Sequence, residues 1–173
     1  MSIRLFKKDA LNGIIRWILR GFLMIKILIL CHGNICRSPM AEFIFKKRLA
    51  DLGLSKKFKI DSKAVSDEEI GHDIYYWAKE CLLEHNIPFK KRMASKVSKS
   101  DYAAYDLIRV MDYSNIRNLK KIIPDDPDNK IDLFLKDREI SDPWFTGDFE
   151  TTYADINLAI DEILKEKEDE IYE

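Results

Sequence analysis

The amino-acid sequence predicts an α/β fold: a four-stranded parallel sheet flanked by helices on both faces, with a loop for a phosphate-sized anion after the first strand. Three observations carry this expectation. Strand-like and helix-like segments alternate from Met24 onward, the pattern of parallel strands joined by crossover helices. The first strand-like run, Ile25 to Leu30, is a short stretch of Ile and Leu broken only by Lys26. A chain of 173 residues with 46% hydrophobic residues has ample material for one globular core.

The elements follow in order. Ile25 to Leu30 is the first strand, and Ser38 to Leu52 the helix after it, with Ser38 as its cap, Pro39 at the first helical position and Gly53 as its stop. Phe58 to Val65 reads as the second strand. Ser66 to Gly71 reads as a loop at the rim of the site. Tyr76 to His85 is a helix ended by Asn86-Ile87-Pro88; Tyr75, Tyr76 and Trp77 are candidates for a binding surface, but this spacing assigns some of them to the core. Ser98 to Ala104 forms a short helix, Asp106 to Met111 the third strand, and Asp112 the cap of the next helix. Ile131 to Leu135 is a short fourth strand, and Asp142-Pro143-Trp144-Phe145 lies in a loop. A final helix starts near Phe149 with Phe149, Tyr153, Ile156, Ile160, Ile163 and Leu164 along one stripe. Lys165 to Glu173 is a charged tail, expected to be solvated and frayed.

Between the first strand and its helix stands Cys31-His32-Gly33-Asn34-Ile35-Cys36-Arg37-Ser38-Pro39. A strand feeding a helix through a tight loop aims several backbone N–H groups and the positive helix end at one spot. Gly33 and Asn34 tolerate the left-handed conformations that such a loop needs. Cys31 faces that spot, where a thiol loses its proton readily, and the planar fork of Arg37 fits two oxygens of a tetrahedral anion. The pair suits attack by sulfur on phosphorus. Asp142, on a loop stiffened by Pro143, is placed to deliver a proton to a leaving oxygen, with Trp144 and Phe145 as a wall for an aromatic ring.

Composition bounds the rest. Basic and acidic residues balance at 29 and 30, which gives no argument for nucleic acid. Three cysteines, an odd number, fit a reducing cytoplasm better than a disulfide scaffold. Cys31 and Cys36 lack the downstream pair of a zinc site, since the third cysteine is Cys81, so no metal and no cofactor is expected.

Residues 1–23 form a separate extension ahead of a body spanning 24–173. Arg4, Lys8, Asn12, Arg16 and Arg20 recur every four residues opposite Ile3, Phe6, Ile14, Trp17 and Phe22, a basic amphipathic pattern. Contact with a membrane surface is one reading. A start assigned upstream of the true one at Met24 is the other. Arg16 and Arg20 interrupt any membrane-spanning run, and no small-residue cleavage site follows.

The stretch from Cys31 to Glu42 resembles the signature loop of the low-molecular-weight protein tyrosine phosphatases, and Asp142-Pro143-Trp144-Phe145-Thr146-Gly147 resembles their second motif. The likeness covers about Met24 to Ile163. It implies that Cys31 is the nucleophile, Arg37 the transition-state clamp and Asp142 the general acid. Ser38 is implied to stabilise the thiolate, and Asn34 to hold the loop's shape. Gly33, Asn34, Ile35, Cys36 and Ser38, with Trp144 and Phe145, are then expected around the substrate, a phosphotyrosine-containing protein or small aryl phosphate. Under oxidant Cys36 could shield Cys31 through a reversible disulfide; as a buried spacer it needs no such role.

Five positions bear on specificity. Ile35 is apolar where related protein-arginine phosphatases resemble a threonine, which favours an aryl phosphate. Glu68 stands where many eukaryotic members carry an aromatic residue. Arg92 replaces a histidine that buttresses the loop asparagine in some members, leaving Ser62 as the expected support of Asn34. Trp144 and Phe145 replace a tyrosine pair. A thiol-dependent arsenate reductase shares the Cys-x5-Arg loop but needs clustered downstream cysteines. A non-catalytic phosphoprotein-binding module is the remaining alternative.

Overall fold

The computed structural model describes residues 24–172. The basic pattern of residues 1–23, and with it the membrane-surface reading, lies outside the described residues. Among those described, no helix is long and apolar enough to cross a membrane.

Four strands, β1 (Ile25–Cys31), β2 (Phe58–Ala64), β3 (Leu107–Val110) and β4 (Ile131–Leu133), form one sheet in the order β2-β1-β3-β4 with every pairing parallel. The alternating pattern is therefore realised as predicted. Strand β1 explains why both faces are covered. Ile25, Ile27 and Ile29 join one apolar core with Phe45, Leu82, Ile156 and Ile160, while Leu28 and Leu30 join a second with Ile108, Val110, Leu119 and Leu133. Successive side chains of a strand point to opposite faces, so an apolar residue at nearly every position buries both.

The first core lies under α1 (Arg37–Asp51), α2 (Tyr76–Glu84) and α6 (Phe149–Glu166). The second lies under α4 (Tyr113–Lys120), with α3 (Lys99–Ala104) beside it. Two short helices complete the described residues: α5 (Pro143–Thr146) and α7 (Glu168–Tyr172). The chain leaves β1 toward β2 on one side and pairs β1 with β3 on the other, so the sheet order reverses at the carboxyl end of β1. In open α/β sheets that crevice is where ligands bind.

Three expectations need correction. Ser38 does not cap α1: the helix begins at Arg37 with Cys36 at the cap position, because Ser38 turns its hydroxyl inward to Cys31 and Asn34. Asp142 to Phe145 is not an open loop, since Asp142 accepts a hydrogen bond from the Trp144 N–H (3.1 Å) and caps α5, which Gly147 ends at φ 70°. The tail is not frayed throughout, because Ile171 is buried against the first core and Lys57 donates to its carbonyl. Of the three aromatic residues at the start of α2, Tyr75 packs against the core, as expected for some of them, while Tyr76 and Trp77 are exposed.

Candidate active site

At the carboxyl end of β1 the chain makes a tight turn into α1, with Asn34 at φ 59°. Asn34 is completely buried, and its side chain ties the turn together. Its amide donates to the hydroxyls of Ser38 (2.8 Å) and Ser62 (2.9 Å), and its carbonyl oxygen accepts from the Arg92 guanidinium (2.7 Å). Arg92 also donates to the Asn34 and Ser62 main-chain carbonyls, at 3.1 and 3.2 Å. The Ser62 hydroxyl in turn donates a hydrogen bond to Glu42 Oε2 at 2.6 Å. Ser62 thus supports Asn34 as expected, and Arg92 does so as well, which the sequence reading had left to Ser62.

This network ends on sulfur. The Ser38 hydroxyl, already an acceptor from Asn34, lies 3.0 Å from Cys31 Sγ, and the Asn34 N–H donates to the same sulfur at 3.2 Å. The Cys31 sulfur thus sits beside the N-terminus of α1 with the Asn34 N–H and the Ser38 hydroxyl against it. The other two thiols lack such an environment. Burial, followed by the charges of Cys31 and Asp142, pushes the Cys36 thiol far above its ordinary value. Burial and then Glu150 raise Cys81 to about 12. All three cysteines are free.

Arg37 is almost wholly enclosed, at 2% exposure. Its Nη1 donates to Asp112 (2.7 Å) and to the Ile140 carbonyl (3.0 Å), and its Nη2 donates to Asp142 (2.6 Å). Burial alone would weaken its hold on the proton; Cys31, Asp142 and Asp112 outweigh that and strengthen it. A guanidinium so fixed presents its remaining N–H groups in one orientation.

Cys31, Arg37 and Asp142 line one cavity of about 730 Å³, together with Gly33, Ile35, Cys36, Trp144 and Phe145. Trp144 leans on Tyr75 (4.8 Å between ring centres), which leans in turn on Phe149 (6.2 Å). Phe145 is 85% exposed at the mouth. Opposite them the rim carries Glu68 and Glu69, with Glu68 paired to His32 at 2.8 Å. Gly33 lets Glu69 approach closely: a Cβ at this position would meet Glu69 Cγ at 2.8 Å, so the Glu69 side chain would have to shift. Asn34 and Ser38, expected around the substrate, do not line the cavity. Their side chains are fully buried behind it, because holding the loop and the sulfur turns them inward.

Sequence reasoning missed Asp112. It is the expected cap of α4, accepting from the Asn115 N–H (2.6 Å) through one oxygen, but the other oxygen holds Arg37. Asn115 also went unremarked. It lines the cavity with a buried Oδ1 that has no hydrogen-bond partner among the described residues. A cap signature gives no hint of what the second carboxylate oxygen meets.

Comparison with known proteins bears on this arrangement. A family model described as low molecular weight phosphotyrosine protein phosphatase matches residues 26–171. The human low molecular weight phosphotyrosine protein phosphatase is 37% identical over 136 residues, 73% of this chain and 85% of the human one. The Bacillus subtilis low molecular weight protein-tyrosine-phosphatase YfkJ is 35% identical over 147 residues, 82% of this chain and 94% of its own. The crystal structure of YfkJ superposes with a TM-score of 0.80 at 34% identity, over 85% of this chain and 96% of that one. A low molecular weight protein tyrosine phosphatase from Streptococcus pyogenes gives 0.76 at 35% identity, over 83% and 93%.

Proposed function

The chain belongs to the low molecular weight phosphotyrosine protein phosphatase family, and on that premise we propose that it hydrolyses phosphotyrosine and related aryl phosphate monoesters through a phosphocysteine at Cys31. The observation that carries this is the convergence of Cys31, Arg37 and Asp142, from three distant points of the chain, on one cavity.

In the first step the Cys31 thiolate attacks phosphorus along the line of the leaving oxygen. The S–P bond forms, the P–O bond breaks, and Asp142 gives its proton to the departing phenolate. Arg37 and the N–H groups at the start of α1 hold the equatorial oxygens as their charge spreads. The cation already in place supplies the electrostatic stabilisation. In the second step Asp142, now ionised, takes a proton from water as its oxygen attacks phosphorus. The S–P bond breaks, inorganic phosphate leaves, and the thiolate returns to its donors Ser38 and Asn34.

The cavity favours an aromatic leaving group. Ile35, Trp144 and Phe145 give apolar contact along its walls, where a ring lies flat and a short serine side chain would leave the phosphate far from sulfur. The body of the enzyme runs over residues 24–173 with 1–23 as an extension, and three free thiols suit a reducing compartment such as the cytoplasm.

Turnover of phosphotyrosine, phosphoserine and phosphoarginine peptides, with arsenate reduction alongside, is the test. Phosphotyrosine is expected to dominate, and Cys31→Ser to lower its turnover by at least about 10³-fold. Preference for phosphoarginine or arsenate, or full activity in Cys31→Ser, would overturn the proposal.

A further inference from the structure

A second constellation of chemically active side chains lies outside the cavity. Cys81 and His85 stand four residues apart, at the end of α2, and so project on one side of it. Glu150, in the first turn of α6, meets them from the facing helix. His85 Nε2 lies 2.8 Å from Glu150 Oε2, and Cys81 Sγ lies 3.5 Å from Glu150 Oε1. Sulfur, imidazole nitrogen and carboxylate oxygen all fall within 4.8 Å of one another. We propose that Cys81, His85 and Glu150 form a zinc-binding site joining α2 to α6.

The geometry suits that ion. Bonds of about 2.3 Å to sulfur and 2.0–2.2 Å to nitrogen and oxygen place tetrahedral ligand atoms roughly 3.3–3.6 Å apart. The three atoms already lie within 4.8 Å of one another, and Glu150 is exposed enough to adjust. The imidazole plane is already set, because His85 stacks on Tyr153 with ring centres 3.6 Å apart and planes within 10°. One thiolate, one carboxylate and one neutral imidazole exactly offset the charge of a divalent cation. Binding releases the Cys81 proton to solvent as the S–Zn bond forms, with no change of oxidation state. His85 and Glu150 are open to solvent, which gives the ion its entry and water the fourth position.

The site does not depend on the phosphatase reading. Its test uses Zn²⁺, with Co²⁺ as a spectroscopic stand-in, on protein carrying Cys31→Ser and Cys36→Ser so that Cys81 is the one remaining thiol. Co²⁺ is expected to give a near-ultraviolet sulfur-to-cobalt charge-transfer band at one equivalent, and Zn²⁺ to abolish it. Adding Cys81→Ser should remove the band. His85→Gln and Glu150→Gln, both at partly exposed positions, should weaken Zn²⁺ binding at least about tenfold in competition with a chelating dye. Melting curves without metal serve to check that these variants fold, and Zn²⁺ should raise the melting temperature of the parent but not of His85→Gln. A missing charge-transfer band, or equal Zn²⁺ affinity in parent, His85→Gln and Glu150→Gln, overturns the proposal.

Discussion

Arg37 Nη2 and Asp142 Oδ2 lie 2.6 Å apart, so the proposed clamp and the proposed acid are ion-paired with each other. A phosphoryl group entering the cavity competes with the Asp142 carboxylate for this guanidinium. In the proposed reaction that carboxyl group is the proton donor to the leaving oxygen. Asp142→Asn should therefore lower kcat by about 10²–10⁴-fold for substrates with poorly acidic leaving groups, and far less for a good leaving group. KM should hold or fall, since asparagine competes less for Arg37. Steady-state kinetics across a leaving-group series checks both; a raised KM at unchanged kcat would contradict the role.

Asp112→Asn separates two duties of one side chain. Asparagine still caps α4, but it no longer brings a negative charge to Arg37. A charged hydrogen bond is worth about 1.5–3 kcal/mol, so kcat/KM is expected to fall by roughly 10–100-fold with little loss of stability. Paired kinetic and melting measurements distinguish this from a purely structural residue, whose loss would show in the melt first.

Arg92→Ala strips donors from Asn34 and leaves buried carbonyl oxygens under-satisfied, at about 1–3 kcal/mol. Thermal unfolding should shift down by roughly 2–10 °C. Because Asn34 orients both Ser38 and the sulfur, kcat should drop as well. Arg92→Lys, which can satisfy one acceptor but not several in one plane, should recover only part of each loss.

Gly33→Ala should impair turnover by driving the new methyl group into Glu69. The remedy identifies the cause. Glu69→Gly, combined with Gly33→Ala, removes the obstructing atoms and should restore most of kcat/KM, a coupling that a double-mutant cycle reads directly.

Asp73 offers a pH prediction away from the cavity. Burial tends to raise its pKa, but hydrogen bonds from Lys79 and from the Arg92 and Ile74 N–H groups prevail and bring it down to about 2. A depressed carboxyl pKa contributes stability that is fully present above the unfolded value near 3.9 and lost as pH falls through about 2. Asp73→Asn should then cost about 1 kcal/mol at pH 7, after allowance for solvent screening, with the difference shrinking toward pH 2 and vanishing below it. Melting curves of both proteins across that window check the convergence.

How far the sequence alone reveals this molecule depends on distance along the chain. Strand and helix order, the Cys31-to-Pro39 loop and the candidate acid are written in local patterns: β1 alternates between two cores, and Asp142-Pro143 opens a capped turn. Asp112 and Arg92 are not legible that way. Each looks like an ordinary surface or cap residue until the sheet brings it beside Arg37 or Asn34. Ser38 misled for a related reason, since a hydroxyl before proline fits a cap equally well, and only the buried sulfur 3.0 Å away decides where it turns.

Arg37 takes its partners from Asp112, Ile140 and Asp142, which are 75, 103 and 105 positions further along the chain. No early segment emerging from the ribosome can seat that guanidinium, however well β1 and α1 have formed. A chain terminated before Ile140 would therefore carry Cys31 and Arg37 without two of the three partners that fix the guanidinium.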